Sequence, residues 1–141
     1  MKQFLILLLC AFAYKGFAQS SPDSAEVATT MNSFVDAFSN LRWEKFSAFF
    51  PPSARTPYRA NNKQEILDIF RKVFDHAQQQ NPSYPHIVIQ PLDLKIQLAG
   101  TTAIVTFTLR DPDLFGRRTI VLKKDNDRWL ILHLHASGVA L

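Results

Sequence analysis

The chain has 141 residues, of which 47% are hydrophobic and 20% charged, and this length and composition fit one globular domain rather than two. Its 16 lysine and arginine residues exceed its 12 aspartate and glutamate residues, which gives a formal net charge of +4. Because the basic residues form no cluster with interleaved aromatic residues, the sequence gives no indication of a nucleic-acid partner.

The N-terminal segment 1–18 is predicted to be a secretory signal peptide. Its apolar run, Phe4 to Ala13, has about ten residues, which is the length of a signal-peptide core and too short to cross a bilayer. Gly16 and Ala18 supply the small residues that precede a cleavage site, so segment 19–141 is the predicted mature domain. We therefore expect an exported protein, periplasmic or secreted, with no stable membrane insertion after signal removal.

The only cysteine, Cys10, lies within this predicted peptide. It follows three leucines, whereas a lipoprotein signal has a small residue before its cysteine, so a soluble exported protein is favoured over a lipid-anchored one. Cleavage removes Lys2 and Lys15, which leaves 14 basic against 12 acidic residues and lowers the net charge from +4 to +2. Core packing must stabilise the mature domain, because no disulfide is available to it.

Two helices are predicted at the start of the mature domain. The first begins at Ser21, an N-cap residue followed by proline, and ends near Asn40. Its apolar residues recur at helical spacing and form one stripe: Val27, Met31, Phe34, Val35 and Phe38. The second helix runs from about Arg42 to Phe50, where two prolines stop it.

A third helix is predicted after a loop or short edge strand at Ser53 to Ala60. Asn62 and Glu65 have the spacing of a capping box, so the helix starts there. Its apolar stripe consists of Ile66, Ile69, Phe70, Val73 and Phe74. The helical pattern fades in the glutamine run 78–80, and the proline-containing segment 81–85 separates the helix from the C-terminal half of the domain.

The rest of the chain is predicted to form a sheet, because helical spacing gives way to alternating and continuous apolar runs. We predict five strands, at about His86 to Gln90, Leu92 to Leu98, Thr102 to Arg110, Arg117 to Lys124 and Arg128 to Ala136. Helices first and strands afterwards indicate an α+β fold with an antiparallel sheet, since parallel βαβ units would alternate the two kinds of element.

The last predicted strand has no plainly polar face. Alternation places Leu130, Leu132, Leu134 and Ala136 on one side, and Trp129, Ile131, His133 and His135 on the other. Helices would cover one of these sides. A partner subunit is the simplest cover for the other side, which predicts a homodimer through the sheet face, and partial shielding by the C-terminal tail is the alternative.

Two stretches resemble a known family. The segment GRRTIVLKKDNDRWLILHLHASG resembles the last hairpin of SnoaL-like proteins and of the association (hub) domain of calcium/calmodulin-dependent kinase II. Both have a basic, apolar strand, an Asp-containing turn, a Trp and a His-x-His-x-Ser-Gly pattern. The segment FVDAFSNLRWEKFSAFF is similar to the helix, short turn and second helix of the same superfamily. The resemblance covers essentially the whole mature chain.

The resemblance implies a cone-shaped, nuclear-transport-factor-2-like fold, in which three N-terminal helices pack on a curved antiparallel sheet. A small-molecule pocket would lie between helices and sheet, and the outer sheet face would form a dimer. The hub domain holds a carboxylate ligand with arginines and a histidine. His86 corresponds loosely to that histidine, whereas Ala136 occupies the position of an arginine, and Arg110 or Arg118 could replace that contact.

Several residues are candidates for binding a ligand in such a pocket. Arg118 alternates with Ile120 and Leu122, so it points into the cone if those residues face inward, where a guanidinium needs an acidic partner or an anionic ligand. A structural ion pair is the alternative. The remaining candidates are Tyr58 and four aromatic residues that core packing would also explain: Phe34, Phe38, Trp43 and Phe107.

His133 and His135 are two residues apart on a predicted strand and could share a metal ion. Two ligands do not make a site, and no acidic residue is clearly placed to complete one, so we predict no metal and no cofactor. Histidines at an interface are the simpler interpretation. The sequence alone leaves open whether the two side chains face the pocket or the interface.

The acidic residues do not form an evident catalytic site. An enzyme of this family would need a buried carboxylate or histidine to move a proton. The aspartates and glutamates fall in turns, loops and polar helix faces, and only His86, Tyr58 and Asp111 remain as conceivable proton-transfer groups. The leading hypothesis is therefore an exported, dimeric domain that binds a small organic ligand, acidic or not. The alternatives are a SnoaL-like or ketosteroid-isomerase-like enzyme and an inert dimerisation domain.

Overall fold

The computed structural model describes residues 21–57, 59–111 and 114–140. The predicted signal peptide and Tyr58 therefore lie outside the described residues, as does the side chain of Asp111. Within these ranges the chain forms three helices followed by four strands. The α+β order that the sequence predicts is thus confirmed.

Helices α1, Pro22–Ser39, and α3, Lys63–Gln80, begin where the sequence predicts. The Ser21 hydroxyl caps α1 by accepting a 3.3 Å hydrogen bond from the amide three residues later. At α3, the Asn62 side chain accepts a 3.1 Å hydrogen bond from the Glu65 amide, and the two side chains also bond to each other at 2.8 Å. Local side-chain chemistry is therefore sufficient to set both starting points.

Helix α2, Trp43–Ser47, is shorter than the predicted Arg42 to Phe50. The amides of Phe49 and Phe50 donate to carbonyls three residues earlier, so the backbone tightens into turns ahead of Pro51. Phe49 and Phe50, the apolar residues in the second half of the predicted helix, nonetheless face the core, because the tight turn keeps them on the same side as α2.

Four strands form one antiparallel sheet in the order β1-β2-β3-β4. Their bounds are Leu92–Ala99 for β1, Thr102–Asp111 for β2, Leu114–Asp125 for β3 and Arg128–Ala140 for β4. Asn126 and Asp127 both have positive φ, of 45° and 62°, and make the two-residue turn between β3 and β4. The turn predicted at this position is confirmed.

The predicted strand from His86 to Gln90 is wrong, because this segment is irregular. Prolines at positions 85 and 91 bracket it, and proline cannot donate to a strand ladder. The Ile87 amide instead donates to the Ser39 carbonyl at 3.1 Å, which attaches the segment to the end of α1. In the apolar run that predicted a strand, Ile87 and Ile89 are half-buried and Val88 is 79% exposed.

A bulge in β4 corrects the predicted assignment of its two faces. Val121 pairs with His133 and Leu122 pairs with Ile131, so Leu132 is an extra residue in the ladder. The inward and outward alternation of side chains shifts by one residue at Leu132. Ile131 and Leu134 therefore share the inner face, although strict alternation would place them on opposite faces. Trp129, Ile131, Leu134 and Ala136 face the helices, whereas His133 and His135 lie on the outer face.

The core lies between the helices and the inner sheet face. Phe46 of α2 is fully buried at its centre, and its ring contacts six other aromatic rings at centroid distances of 4.9 to 6.1 Å. These neighbours come from all three helices and the turn after α2: Phe34, Phe38, Trp43, Phe50, Phe70 and Phe74. The sheet completes the core with buried aliphatic residues such as Val105, Ile120 and Ile131.

Candidate functional site

A cavity of about 470 Å³ lies between the helices and the inner face of the sheet. Its walls come from α1, α3, the segment before α3 and strands β2, β3 and β4, and they are mainly apolar. The apolar lining residues include Phe34, Phe38, Ile66, Ile69, Phe70, Val73, Ile89, Phe107, Leu109, Ile120 and Leu134. This volume and lining are those of small-molecule sites in general.

Arg118 brings a charged group to the cavity wall. It is half-buried, and its Nη1 donates to the carbonyl oxygens of Arg117 at 2.9 Å and Ser137 at 3.1 Å. It makes at least one further contact besides these. The backbone carbonyls hold the guanidinium against the sheet, because they fix Nη1 at two points across strands β3 and β4.

Three other polar residues line the same cavity: Arg59, Thr56 and Ser137. Arg59 is exposed and therefore lies where the cavity meets solvent. The Thr56 hydroxyl is buried and, within the part of the chain that the structure describes, has no hydrogen-bond partner. Its backbone is nevertheless fixed, because the Thr56 amide donates to the Ala60 carbonyl at 2.9 Å.

None of the described residues that line the cavity carries a carboxylate or an imidazole. General acid/base catalysis needs such a group within hydrogen-bonding reach of the reacting atom. The polar groups that are present are guanidinium, hydroxyl and backbone groups, which can hold a ligand through charge and hydrogen bonds. The described walls thus offer binding chemistry and no evident proton shuttle.

Four of the predicted ligand-binding residues line this cavity. They are Phe34 and Phe38 from α1, Phe107 from β2 and Arg118 from β3. Arg118 is also the cross-strand partner of Ala136, the position at which the resemblance implies an arginine. The guanidinium therefore occupies the neighbourhood of the expected contact from an adjacent strand.

Three predicted residues lie elsewhere. Trp43 is stacked under Arg71, whose guanidinium carbon is 3.4 Å from the ring centroid. Arg110 is exposed and pairs with Phe115 near the end of β2, on the outer face. His86 is held by its own loop, where its Nδ1 lies 2.7 Å from the Asn81 carbonyl and its ring packs against Tyr84.

Sequence reasoning missed Arg59, Thr56, Ile89 and the α3 residues Ile66, Ile69 and Val73 as lining residues. The α3 residues were predicted only as a helix stripe, and a stripe does not show which part of it packs against the core and which part faces a cavity. Arg59 and Thr56 lie in a loop without periodicity. The pairing of Arg55 with His133 at the edge of β4 brings this loop to the sheet.

His133 and His135 lie on the outer face of β4, away from the cavity. In the described ranges, no group of three histidine, cysteine, aspartate or glutamate side chains is close enough to hold a metal ion. No helix in the same ranges is sufficiently long and apolar to span a membrane.

The fold and the cavity define a cone-shaped α+β protein with an apolar chamber that opens to solvent. Residues 27–141 match the family model of the SnoaL-like domain, and the chain belongs to this family. No curated protein matches the sequence significantly. The resemblance stated from the two sequence segments is confirmed.

Solved structures give the same fold. An NTF2-like protein from Streptomyces avermitilis, described as a candidate dehydratase, has a TM-score of 0.68 and 18% identity over 83% of this chain and 96% of its own. An NTF2-like protein of unknown function from Pseudomonas putida has a TM-score of 0.68 and 17% identity over 84% of this chain and 87% of its own. The hub homology domain of Chlamydomonas reinhardtii CamKII has a TM-score of 0.66 and 19% identity over 83% of this chain and 98% of its own. At these identities the likeness concerns the fold alone.

Proposed function

We propose that this SnoaL-like domain binds a small organic molecule with an acidic group in its inner cavity. The observation that carries the proposal is an apolar cavity of about 470 Å³ whose wall contains the guanidinium of Arg118. Apolar walls favour a hydrophobic or aromatic ligand body. A guanidinium held in this wall favours an anionic end group, because charge-assisted hydrogen bonds are roughly twice as strong as neutral ones.

Binding is favoured over the enzymatic alternative by the chemistry of the described lining. A SnoaL-like or ketosteroid-isomerase-like reaction would require a carboxylate or histidine facing the ligand. The lining supplies arginine, threonine and serine instead. The inert-scaffold alternative is also less favoured, because phenylalanine side chains line the cavity without filling it.

The proposal is tested with a pair of fluorescent probes that differ only in charge. Anilinonaphthalene sulfonate is an aromatic anion, and phenylnaphthylamine is the same aromatic skeleton without the sulfonate. We expect Arg118→Ala to weaken binding of the sulfonate about tenfold or more, since hydrogen bonds to charged groups contribute roughly 1.5–3 kcal/mol. Binding of the neutral probe should change little.

Arg117→Ala is the matched control. Arg117 is the next residue on the same strand, is exposed and lies on the outer face. Its removal changes the net charge by the same amount and should leave the affinity for both probes unchanged. An unchanged sulfonate affinity in Arg118→Ala, measured by fluorescence titration or calorimetry, would remove this arginine from the site.

We also propose that the domain is a homodimer through the outer face of its sheet. None of the described residues of β2, β3 and β4 that lie on this face is buried. Its centre contains Ile104, Val121 and Thr119 together with His133 and His135, and its charged residues lie around this centre. A second copy would bury the apolar centre and leave the charged residues at a solvated rim, as in ordinary interfaces.

Export through cleavage of segment 1–18 is the third part of the proposal. Its support is the apolar run and the small residues before position 19 in the sequence. Expression of the full sequence in a secreting bacterium should give a mature protein that begins with Gln19, as read by mass spectrometry. An intact N-terminus on the exported or retained protein would contradict this cleavage.

A further inference from the structure

Gly116 is the residue on which the Arg118 side chain rests. The two residues are two positions apart on β3 and therefore share the inner face. Gly116 is buried, and a Cβ atom at this position would lie 2.9 Å from Nη1 and 3.3 Å from Nη2 of Arg118. Such distances are shorter than van der Waals contact. Only glycine leaves room for the guanidinium where it is.

On the β4 side of this contact, the surface is made mostly of backbone. Gly116 pairs with Gly138 on β4, and both Ser137 and Gly138 line the cavity. Arg118 Nη1 donates to the Ser137 carbonyl at 3.1 Å, so the guanidinium extends along the strand towards this glycine pair. This stretch of backbone without side chains forms a floor that leaves room for the guanidinium.

We propose that Gly116 is a positioning residue, which leaves room for the guanidinium of Arg118 against the sheet so that the cavity selects ligands with a carboxylate or sulfonate end. This inference rests on the proposed binding function and specifies the part of the cavity that recognises the acidic group. The apolar body of the ligand would extend from this floor towards α1 and α3, and its anionic end would lie against the guanidinium.

Gly116→Ala tests the inference without removing any charge. The added methyl group displaces the end of a flexible side chain and no backbone atom, so the fold should tolerate it. We expect anilinonaphthalene sulfonate to bind about tenfold more weakly, because the charge-assisted hydrogen bonds of a displaced guanidinium are lost. Phenylnaphthylamine should bind within about twofold of the unchanged protein, since apolar burial is retained.

A double-mutant cycle separates positioning from general damage. If Gly116 acts only through Arg118, adding Gly116→Ala to Arg118→Ala should cause no further loss of sulfonate affinity. Additive losses would overturn the inference, and so would equal weakening of both probes or an unchanged sulfonate affinity in Gly116→Ala. Circular dichroism and thermal unfolding establish whether each variant is folded.

Arg118→Lys provides a second variant that leaves Gly116 intact. Lysine keeps the charge but lacks the planar donor fork of the guanidinium, so we expect a sulfonate affinity between those of the unchanged protein and Arg118→Ala. Full affinity with lysine would contradict a role for the guanidinium fork. If the unchanged protein binds neither probe, the proposed function fails, and the inference fails with it. If it binds both probes and only the Gly116→Ala result is wrong, the inference alone fails.

Discussion

At the scale of single residues, Phe46 has the largest structural role among the aromatic side chains. It is fully buried and lies at 4.9 to 5.7 Å from the rings of Phe70, Phe74, Phe34 and Phe38. Three of these neighbours also line the cavity. Phe46 therefore packs against the side chains that form the cavity wall, although it does not line the cavity itself.

We expect Phe46→Ala to lower the free energy of unfolding by about 3–5 kcal/mol, because truncation of a buried ring loses transfer energy and leaves a void. Phe46→Leu should cost less, since it retains part of the buried volume. Urea unfolding measures both. The control is Val88→Ala, a change outside the sheet at a residue 79% exposed, which should stay within about 0.5 kcal/mol. A Phe46→Ala cost similar to this control would contradict the central position of the ring.

At the scale of elements, a charged cluster ties the first turns of α1 to the end of the β3–β4 hairpin. Lys124 Nζ lies 2.8 Å from both Asp23 Oδ1 and Glu26 Oε2, and Trp129 Nε1 donates to the same Glu26 oxygen at 3.2 Å. Hydrogen bonds from Lys124 and Trp129 lower the pKa of Glu26 below its ordinary value of 4.5. Hydrogen bonds to Asp23 and then Glu26 raise the pKa of Lys124.

These pKa shifts predict how stability depends on pH. The carboxylate of Glu26 has a lower pKa in the folded protein, so its contribution is complete above about 4.5 and is lost as the pH falls through the lower folded value. The contribution of Lys124 is present below its ordinary value of 10.5 and is lost only at higher pH. Both contributions are therefore present at neutral pH.

Glu26→Gln should consequently lower the melting temperature at neutral pH. This decrease should become smaller as the pH falls below about 4.5. Thermal unfolding over a pH series measures the difference between the two proteins. Glu44→Gln, at an exposed position on α2, is the control for removing an acidic charge near the helices. A constant difference across the series would show that the carboxylate charge of Glu26 does not contribute.

At the scale of the whole molecule, the sheet has two different faces. The inner face supports the core and the cavity, and the outer face contains exposed apolar residues such as Ile104, which is 36% exposed. Val121 lies beside Ile104 across the sheet and is only half-buried within a single subunit. These two residues mark the centre of the proposed dimer interface.

We expect light scattering to give a dimer for the unchanged protein and a monomer for Val121→Lys, because a charge at the centre of an apolar interface remains without a partner. Thr29→Lys, on the exposed side of α1, adds the same charge elsewhere and should remain dimeric. A monomer at all concentrations of the unchanged protein would contradict the proposed dimer.

Local sequence patterns predicted most of the fold. Ser21, Asn62 and the turn at Asn126 set where elements begin and end, because caps and tight turns depend on residues a few positions apart. The order of helices and strands followed from hydrophobic periodicity. The false strand at 86–90 had the composition of a strand, but it lies between two prolines, and proline cannot donate to a strand ladder.

The candidate site was predicted only in part, since it depends on contacts between distant segments. Arg118 was identified because alternation along one strand gives its direction. Arg59 and Thr56 were not, because they reach the cavity through contacts of their loop with distant segments, such as its pairing with the edge of β4. The direction of His133 and His135 depended on one extra residue, Leu132, which changes the phase of the strand and leaves no local signal.

The sequence by itself determined the class of fold, the boundaries of the main helices and the turn of the last hairpin, because each depends on short-range chemistry. The tertiary structure decided which side chains share the cavity, which face each histidine takes and how Arg118 lies on Gly116. These features arise where segments far apart in the chain meet, and packing between such segments is not encoded in the periodicity of either one.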